Sequence, residues 1–290
     1  MIALLDGVEW EVAAIFAALV LVEGLRRIPA GGLVVRAIGW TGWRPAGEPE
    51  PRSRLRLVSW WPPLAPALVL PPLGGSATVP LEGSATVSNE TLAPRVRVAR
   101  RAAPWLAAGG ALTLVALVLG LPIATARFGG VGFLGGALVV VAPALATAAG
   151  GWWALRRLGV SGRSRRRQVF GWCSPFASGR VLEGVYQAAL AGASPAQALR
   201  ALAGDRVFAE WARARAYDVV RGGVADPDLS AAADTPTLIS IVTAEPALAA
   251  GGVSYCPRCA AVWTAARDTC TDCGVPAVTR EVDARACGAR

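Results

Sequence analysis

The chain has no histidine and no lysine, and only one methionine among its 290 residues. Without imidazole, the commonest general base and a frequent metal ligand are missing; without a lysine amine there is no Schiff-base chemistry. All 29 basic residues are therefore arginine. GC-rich coding by itself produces such an arginine-only, Ala/Gly/Pro-rich composition, so the absence of lysine is not read as functional. Charge is sparse too, at 17% of residues against 54% hydrophobic, with a mean hydropathy of +0.45. That balance is unusual for a soluble domain of this length, and membrane segments are its natural explanation. No P-loop, nucleophile–base pair or carboxylate cluster is visible, so the chain is not expected to be an enzyme.

Two stretches pass the length test for a bilayer span, which needs about 20 apolar residues at about 1.5 Å each. Residues 105–126 and residues 130–155 carry no charge, and tryptophan stands at an end of each: Trp105 on the first, Trp152 and Trp153 on the second. Amphipathic indoles suit the headgroup level. The connection around Arg127 is short, which predicts a tight helical hairpin, and Gly109, Gly110, Gly135 and Gly136 would let its helices approach closely. A third span is expected within residues 1–27. It is apolar from residue 12 to residue 22 and must keep Asp6, Glu9 and Glu11 near one interface; a helix lying in the interface is the other reading.

Orientation follows from arginine placement. Arg26, Arg27 and Arg36, then Arg95, Arg97, Arg100 and Arg101, lie between the first and second spans. The hairpin tip holds only Arg127, and Arg156, Arg157, Arg163, Arg165, Arg166 and Arg167 follow the third span. This puts the N-terminus outside, and the long loop and the C-terminal half in the cytosol, as for a protein of an inner (cytoplasmic) membrane. Arg163, Arg165, Arg166 and Arg167 either mark topology alone or also recruit anionic lipid, at about 1 kcal/mol per residue near the surface.

The basic loop, residues 28–104, alternates in short runs: "LVVRAIGW", "RLRLVSW" and "RVRVARR" predict strands of a small β domain. The apolar stretch of residues 60–73 holds five prolines and cannot be a regular helix. It is expected either at a buried edge of that domain or at the headgroups. "GSATV" occurs twice, at residues 75–79 and 83–87, too few copies for a repeat architecture. Residues 156–250 read as a basic flank and a small helical segment. Within it, Ser194, Pro195 and Gln197 spell a capping box, and Trp211 shares a helical face with Phe208 and Ala212. The stretch "VADPDLSAAADTPT" reads as a flexible linker.

Six cysteines are present. Four form two pairs, Cys256-x-x-Cys259 and Cys270-x-x-Cys273, ten residues apart. That spacing places four thiolates around one ion, with zinc–sulfur bonds of about 2.3 Å. Residues 255–279 resemble the zinc-ribbon family, departing from its pattern at Ala260, where a glycine commonly follows the first pair. The resemblance implies a β-rich structural zinc module within residues 251–282 and implies no particular activity. Disulfides do not suit a cytosolic tail, and the βαβ pattern of a redox CxxC domain is missing. Iron also accepts four thiolates, though the short gap favours zinc. Cys173 and Cys287 read as ordinary thiols.

Net charge separates the possible uses. Residues 1–169 hold 18 arginines against 8 acidic residues, whereas residues 251–290 hold 5 against 4. A nucleic-acid-binding ribbon needs its own basic patch, so no nucleic-acid partner is expected. The resulting expectation is a mostly α membrane protein with three transmembrane helices, a β-rich cytosolic loop, a helical cytosolic segment and a C-terminal zinc ribbon. It would be a non-enzymatic factor that binds a protein partner or helps a membrane complex assemble. A membrane-tethered nucleic-acid-binding regulator is the alternative, and a transporter component or membrane enzyme comes third, because the hairpin has no ionisable residue for a substrate path.

Overall fold

The structure is a computed structural model that describes residues 10–23, 25–28, 33–38, 42–46, 54–57, 67–70, 87–246 and 252–279. It is mostly helical and divides into two compact units, Met1–Ala203 and Gly204–Arg290.

A long helical hairpin dominates the first unit. Helix α2 (Asn89–Val115) passes through one π-helical turn, Ala116–Gly120, into α3 (Leu121–Arg157), and the path breaks at Gly129 (φ 57°, ψ −137°). A positive φ costs glycine little and an L-residue much, so Gly129 is where the chain can reverse. Close approaches across the hairpin keep one antiparallel register: Gly136 faces Leu121, Gly132 faces Ala124, Gly109 faces Thr147 and Gly150 faces Leu106. A Cβ on Gly136 would lie 2.9 Å from Leu121 Cδ1, and one on Gly150 would lie 3.2 Å from Leu106 Cδ2. A side chain at either position would make the facing leucine shift, and at Gly132 it would meet the Ala124 backbone itself, so glycine lets the two arms approach closely. Gly135 differs from its neighbour, because nothing lies within 4 Å of a Cβ placed there. The hydroxyls of Thr113 and Thr147, both buried at the seam, donate to the carbonyls of Gly109 and Pro143 one turn back. Each is thus satisfied within its own helix.

The outward faces are apolar. Trp105, Leu112, Val115 and Phe128 on one arm, and Val131, Leu134, Leu138 and Leu145 on the other, are exposed, Trp105 to 81% and Leu138 to 71%. The helical stretch Asn89–Arg157 is long and apolar enough to cross a membrane. Helix α1 (Trp10–Glu23) packs beside the π-helical turn, and its Phe16 meets Phe176 at 6.1 Å between ring centroids. Its 14 described residues extend about 21 Å, and residues 1–9 of the expected span lie outside the described residues.

Strand expectations divide. β2 (Leu33–Ile38) lies between β3 (Gly42–Pro45) and β5 (Ala67–Leu70) in an antiparallel sheet, while β1 (Leu25–Ile28) pairs with β4 (Arg54–Leu57). The proline-rich stretch thus supplies a buried edge strand, β5. "RVRVARR", however, is helix. It lies inside α2, where Leu92, Val96, Ala99, Ala103 and Leu106 are buried. Four alternating residues imitated a strand; the wider window repeats at three and four, and burial selected that period. Helix 2 consequently begins at Asn89, well before Trp105. The paired "GSATV" segments lie outside the described residues apart from Val87.

After α3 the chain turns at Gly159 into α4 (Gly162–Trp172), then a 3₁₀ turn (Pro175–Ala177), α5 (Arg180–Ala189) and α6 (Pro195–Ala203). The capping box forms as expected. Ser194 N–H donates to Gln197 Oε1 at 3.0 Å, and Gln197 N–H donates to Ser194 Oγ at 3.2 Å. Trp172 fills the space left by Gly151 and Gly184, and Trp43 of β3 packs edge-on against buried Tyr186 of α5 at 4.9 Å. Arg100 of α2 donates to the carbonyls of Ala201 and Leu202 at the end of α6.

The second unit opens with α7 (Asp205–Gly222), which ends at Gly223 in the left-handed conformation. The expected flexible linker is instead two capped helices, α8 (Pro227–Ala232) and α9 (Thr235–Thr243). Asp226 accepts from Leu229 N–H at 3.0 Å, and Asp234 accepts from Thr237 N–H at 3.2 Å. Asp followed by Pro within two residues signals a helix start as well as a turn, and burial of Leu229, Leu238, Ile241 and Val242 decides the matter here. Phe208 and Ala212 face the core, and Trp211 lies partly buried beneath the Arg215 guanidinium, 4.8 Å away.

Candidate metal centre

Three two-residue strands frame the cysteines: β6 (Ser254–Tyr255) lies between β7 (Val262–Trp263) and β8 (Val278–Thr279), all antiparallel. Such short strands bury very little, so something other than an apolar core must hold the segment.

Two turns of the same design carry the sulfur atoms. In the first, Ala260 N–H donates to Cys256 O (3.0 Å), and Cys256 N–H donates to Ala261 O (2.8 Å). In the second, Gly274 N–H donates to Cys270 O (2.9 Å), and Cys270 N–H donates to Val275 O (2.8 Å). Amides also point at sulfur, from Cys259 N–H to Cys256 Sγ and from Asp272 N–H to Cys270 Sγ, both at 3.4 Å. The residue after each pair has a positive φ, 68° at Gly274 and 60° at Ala260. Among the described residues Ala260 is the one non-glycine in that region. Its departure from the ribbon pattern leaves the turn intact and adds local strain.

Each pair contributes one buried thiol, Cys256 and Cys270; Cys259 is exposed and Cys273 half-buried. All four Sγ atoms lie within 4.8 Å of one another, with Cys256–Cys273 at 3.5 Å and Cys259–Cys270 at 3.6 Å. A tetrahedral ion with bonds of about 2.3 Å requires sulfurs about 3.8 Å apart. The donor set fits a thiophilic ion in both chemistry and spacing. Burial pushes the Cys256 thiol up to about 12. At Cys270 burial acts the same way, but the amides of Cys273 and Asp272 and the neighbouring thiols outweigh it and bring the thiol down to about 7. Four thiolates this close repel one another, and a divalent cation removes that cost.

The module is fixed to its own unit by arginine. Arg258, within the first turn, forms a two-pronged ion pair with Asp218 of α7, both bonds at 2.9 Å, which holds its guanidinium protonated more firmly than usual. Arg213 of α7 reaches the carbonyls of Ala244 (2.8 Å) and Pro257 (3.5 Å). Neither arginine was expected at the site from sequence, because their partners lie 31 to 44 residues away. Of the remaining cysteines, Cys173 stands apart just after α4, where its thiol donates to Val169 O, and Cys287 lies outside the described residues. No protein-family model matches the chain, and no curated protein or solved structure is detectably similar to it.

Proposed function

We propose that the chain is an integral membrane protein that carries a structural zinc site, Cys256, Cys259, Cys270 and Cys273, in a small cytosolic module used to bind a protein partner or to assemble a membrane complex. The observation that carries this reading is the four-sulfur cluster on paired turns with amides directed at sulfur. Zinc is the ion this donor set suits best, having no redox chemistry and accepting four thiolates readily. It would supply folding energy rather than catalysis, since no coordination position is left open for substrate.

Three features support the remaining parts. The exposed apolar faces of the hairpin are what lipid would cover. Packing of Trp43 on Tyr186 joins the segment before the hairpin to the segment after it, which favours one side of the membrane for both. Within residues 252–279 both arginines are engaged, Arg258 with Asp218 and Arg267 over the Trp263 ring, which leaves little for phosphate and favours a protein partner over nucleic acid. The chain acts as a non-enzymatic scaffold of an inner membrane, with its N-terminus outside.

Elemental analysis of the full-length chain in detergent tests the core of this reading. One zinc per chain, lost in the Cys256→Ser/Cys270→Ser variant, is expected; no metal in the parent protein overturns it. Cross-linking in membranes, compared between parent and variant, then tests the partner.

A further inference from the structure

The chain has no acidic residue between Glu90 and Glu183, although that stretch takes in all of α3 and α4 and all but the first two residues of α2. The excess positive charge must therefore be balanced from elsewhere. Helix α4 concentrates it: four arginines fall within its 11 residues, and the fold gives them two different tasks.

Arg165 points inward. Its guanidinium lies 4.3 Å from the Trp152 ring centroid, on the side of α4 that also carries Gln168, Val169 and buried Trp172 against α3 and α5. Arg163, Arg166, Arg167 and Phe170 follow the i, i+3, i+4, i+7 spacing of a single helical face, and all four are exposed, Phe170 to 84%. Among the described residues none of these three arginines is ion-paired. A face of three cations and one phenylalanine is what a helix needs to sit against headgroups with its ring in the acyl boundary.

The level of α4 along the hairpin agrees. In the antiparallel register Trp105 and Trp152 stand at one height, and the distance from there to the turn at Gly129 is about 36 Å, slightly more than a hydrocarbon core of about 30 Å. Trp105 and Trp153 are exposed at that height, where the Arg157 guanidinium lies 4.9 Å from the Trp153 ring. The stacking of Arg165 on Trp152 holds α4 beside this aromatic belt.

We propose that the Arg163–Arg166–Arg167–Phe170 face of α4 binds the headgroups of anionic phospholipids, with Arg165 positioning the helix and taking no headgroup itself. The proposal rests on the membrane reading above. Its test reconstitutes the full chain in bilayers of brominated phosphatidylcholine or brominated phosphatidylglycerol and reads quenching of its own tryptophans. The parent protein is expected to prefer the anionic lipid. The Arg163→Gln/Arg166→Gln/Arg167→Gln variant should lose at least about fivefold of that preference, the value of one surface arginine, while keeping its quenching by phosphatidylcholine. Arg165→Gln, which loosens α4 from Trp152 but removes no headgroup contact, should lower the preference by less than the triple variant does; a loss as large as the triple variant's overturns the division between Arg165 and the outer face. Equal quenching by both lipids in the parent, an unchanged preference in the triple variant, or binding of the arginine face to nucleic acid in place of lipid overturns the proposal. Quenching by neither lipid overturns the membrane reading instead.

Discussion

The hairpin and the cysteine module solve the same problem, holding backbone in one place, by opposite means. Along the hairpin many weak contacts share the load: glycines that admit a facing helix, threonines satisfied in their own turn, and apolar side chains over the whole length. In the module four sulfur atoms and two turns carry nearly all of it, since its strands are two residues each. Distributed packing degrades gradually under substitution, whereas a metal centre fails at a single ligand. Predictions that separate the two regions follow from this contrast.

Loss of the proposed zinc should have the largest effect. Structural zinc contributes about 10–16 kcal/mol in small modules, so Cys256→Ser or a strong chelator is expected to unfold residues 252–279 and leave the hairpin intact. Hydrogen exchange resolved by peptide checks both halves; equal loss of protection in α3 would contradict the division. Overpacking comes next. Gly151→Leu drives side-chain atoms into Val181 and Trp172, which lie 2.5 and 2.8 Å from a Cβ at that position, and should destabilise the first unit by about 1–3 kcal/mol. Gly135→Leu, with open space around it, should leave the melting temperature in detergent unchanged or slightly raised.

Acid should weaken the second unit at a defined place. Burial opposes ionisation of Asp226, but the Arg215 guanidinium, at 2.8 Å from both carboxylate oxygens, and the Leu229 amide outweigh it and hold the carboxyl below its ordinary value. A depressed native value means that this contribution is fully present above the unfolded carboxylate range, near pH 4, and is lost as pH falls through the lower native value. Asp226→Asn should remove that acid dependence and cost about 1 kcal/mol at neutral pH, the pair being partly screened by water. Unfolding titrations of the two proteins across pH 2–7 provide the check.

The smallest effects belong to the module's fittings. Asp218→Asn should release Arg258 and raise exchange at the first cysteine turn, by less than about 1 kcal/mol because both side chains are partly exposed. Ala260→Gly should move the other way by a similar amount, since glycine occupies a φ of 60° without strain. A destabilised Ala260→Gly protein would show that the turn differs from the one described.

Local spacing was a good guide wherever one short segment decides the outcome. The capping box at Ser194 and Gln197, the hairpin reversal near Arg127 and the four clustered cysteines were all legible, because each depends on residues a few positions apart or on a composition too apolar to mistake. Elsewhere a local pattern had two solutions. "RVRV" fits a strand and a helix, and Asp-Pro fits a loop and a helix cap; burial of Val96 and Ala99, and of Leu229 and Leu238, chose between them.

What the sequence by itself determined is therefore the chemistry: an arginine-only charge set, two long uncharged runs and a four-thiol donor group. The tertiary structure alone decided which equivalent-looking residues do different work. Gly136 is pressed against Leu121 while Gly135 faces open space, and Arg165 lies over Trp152 while Arg166 and Arg167 are exposed. Adjacent residues on a helix point about 100° apart, so their fates separate only once a neighbouring helix, placed by contacts far along the chain, covers one of them.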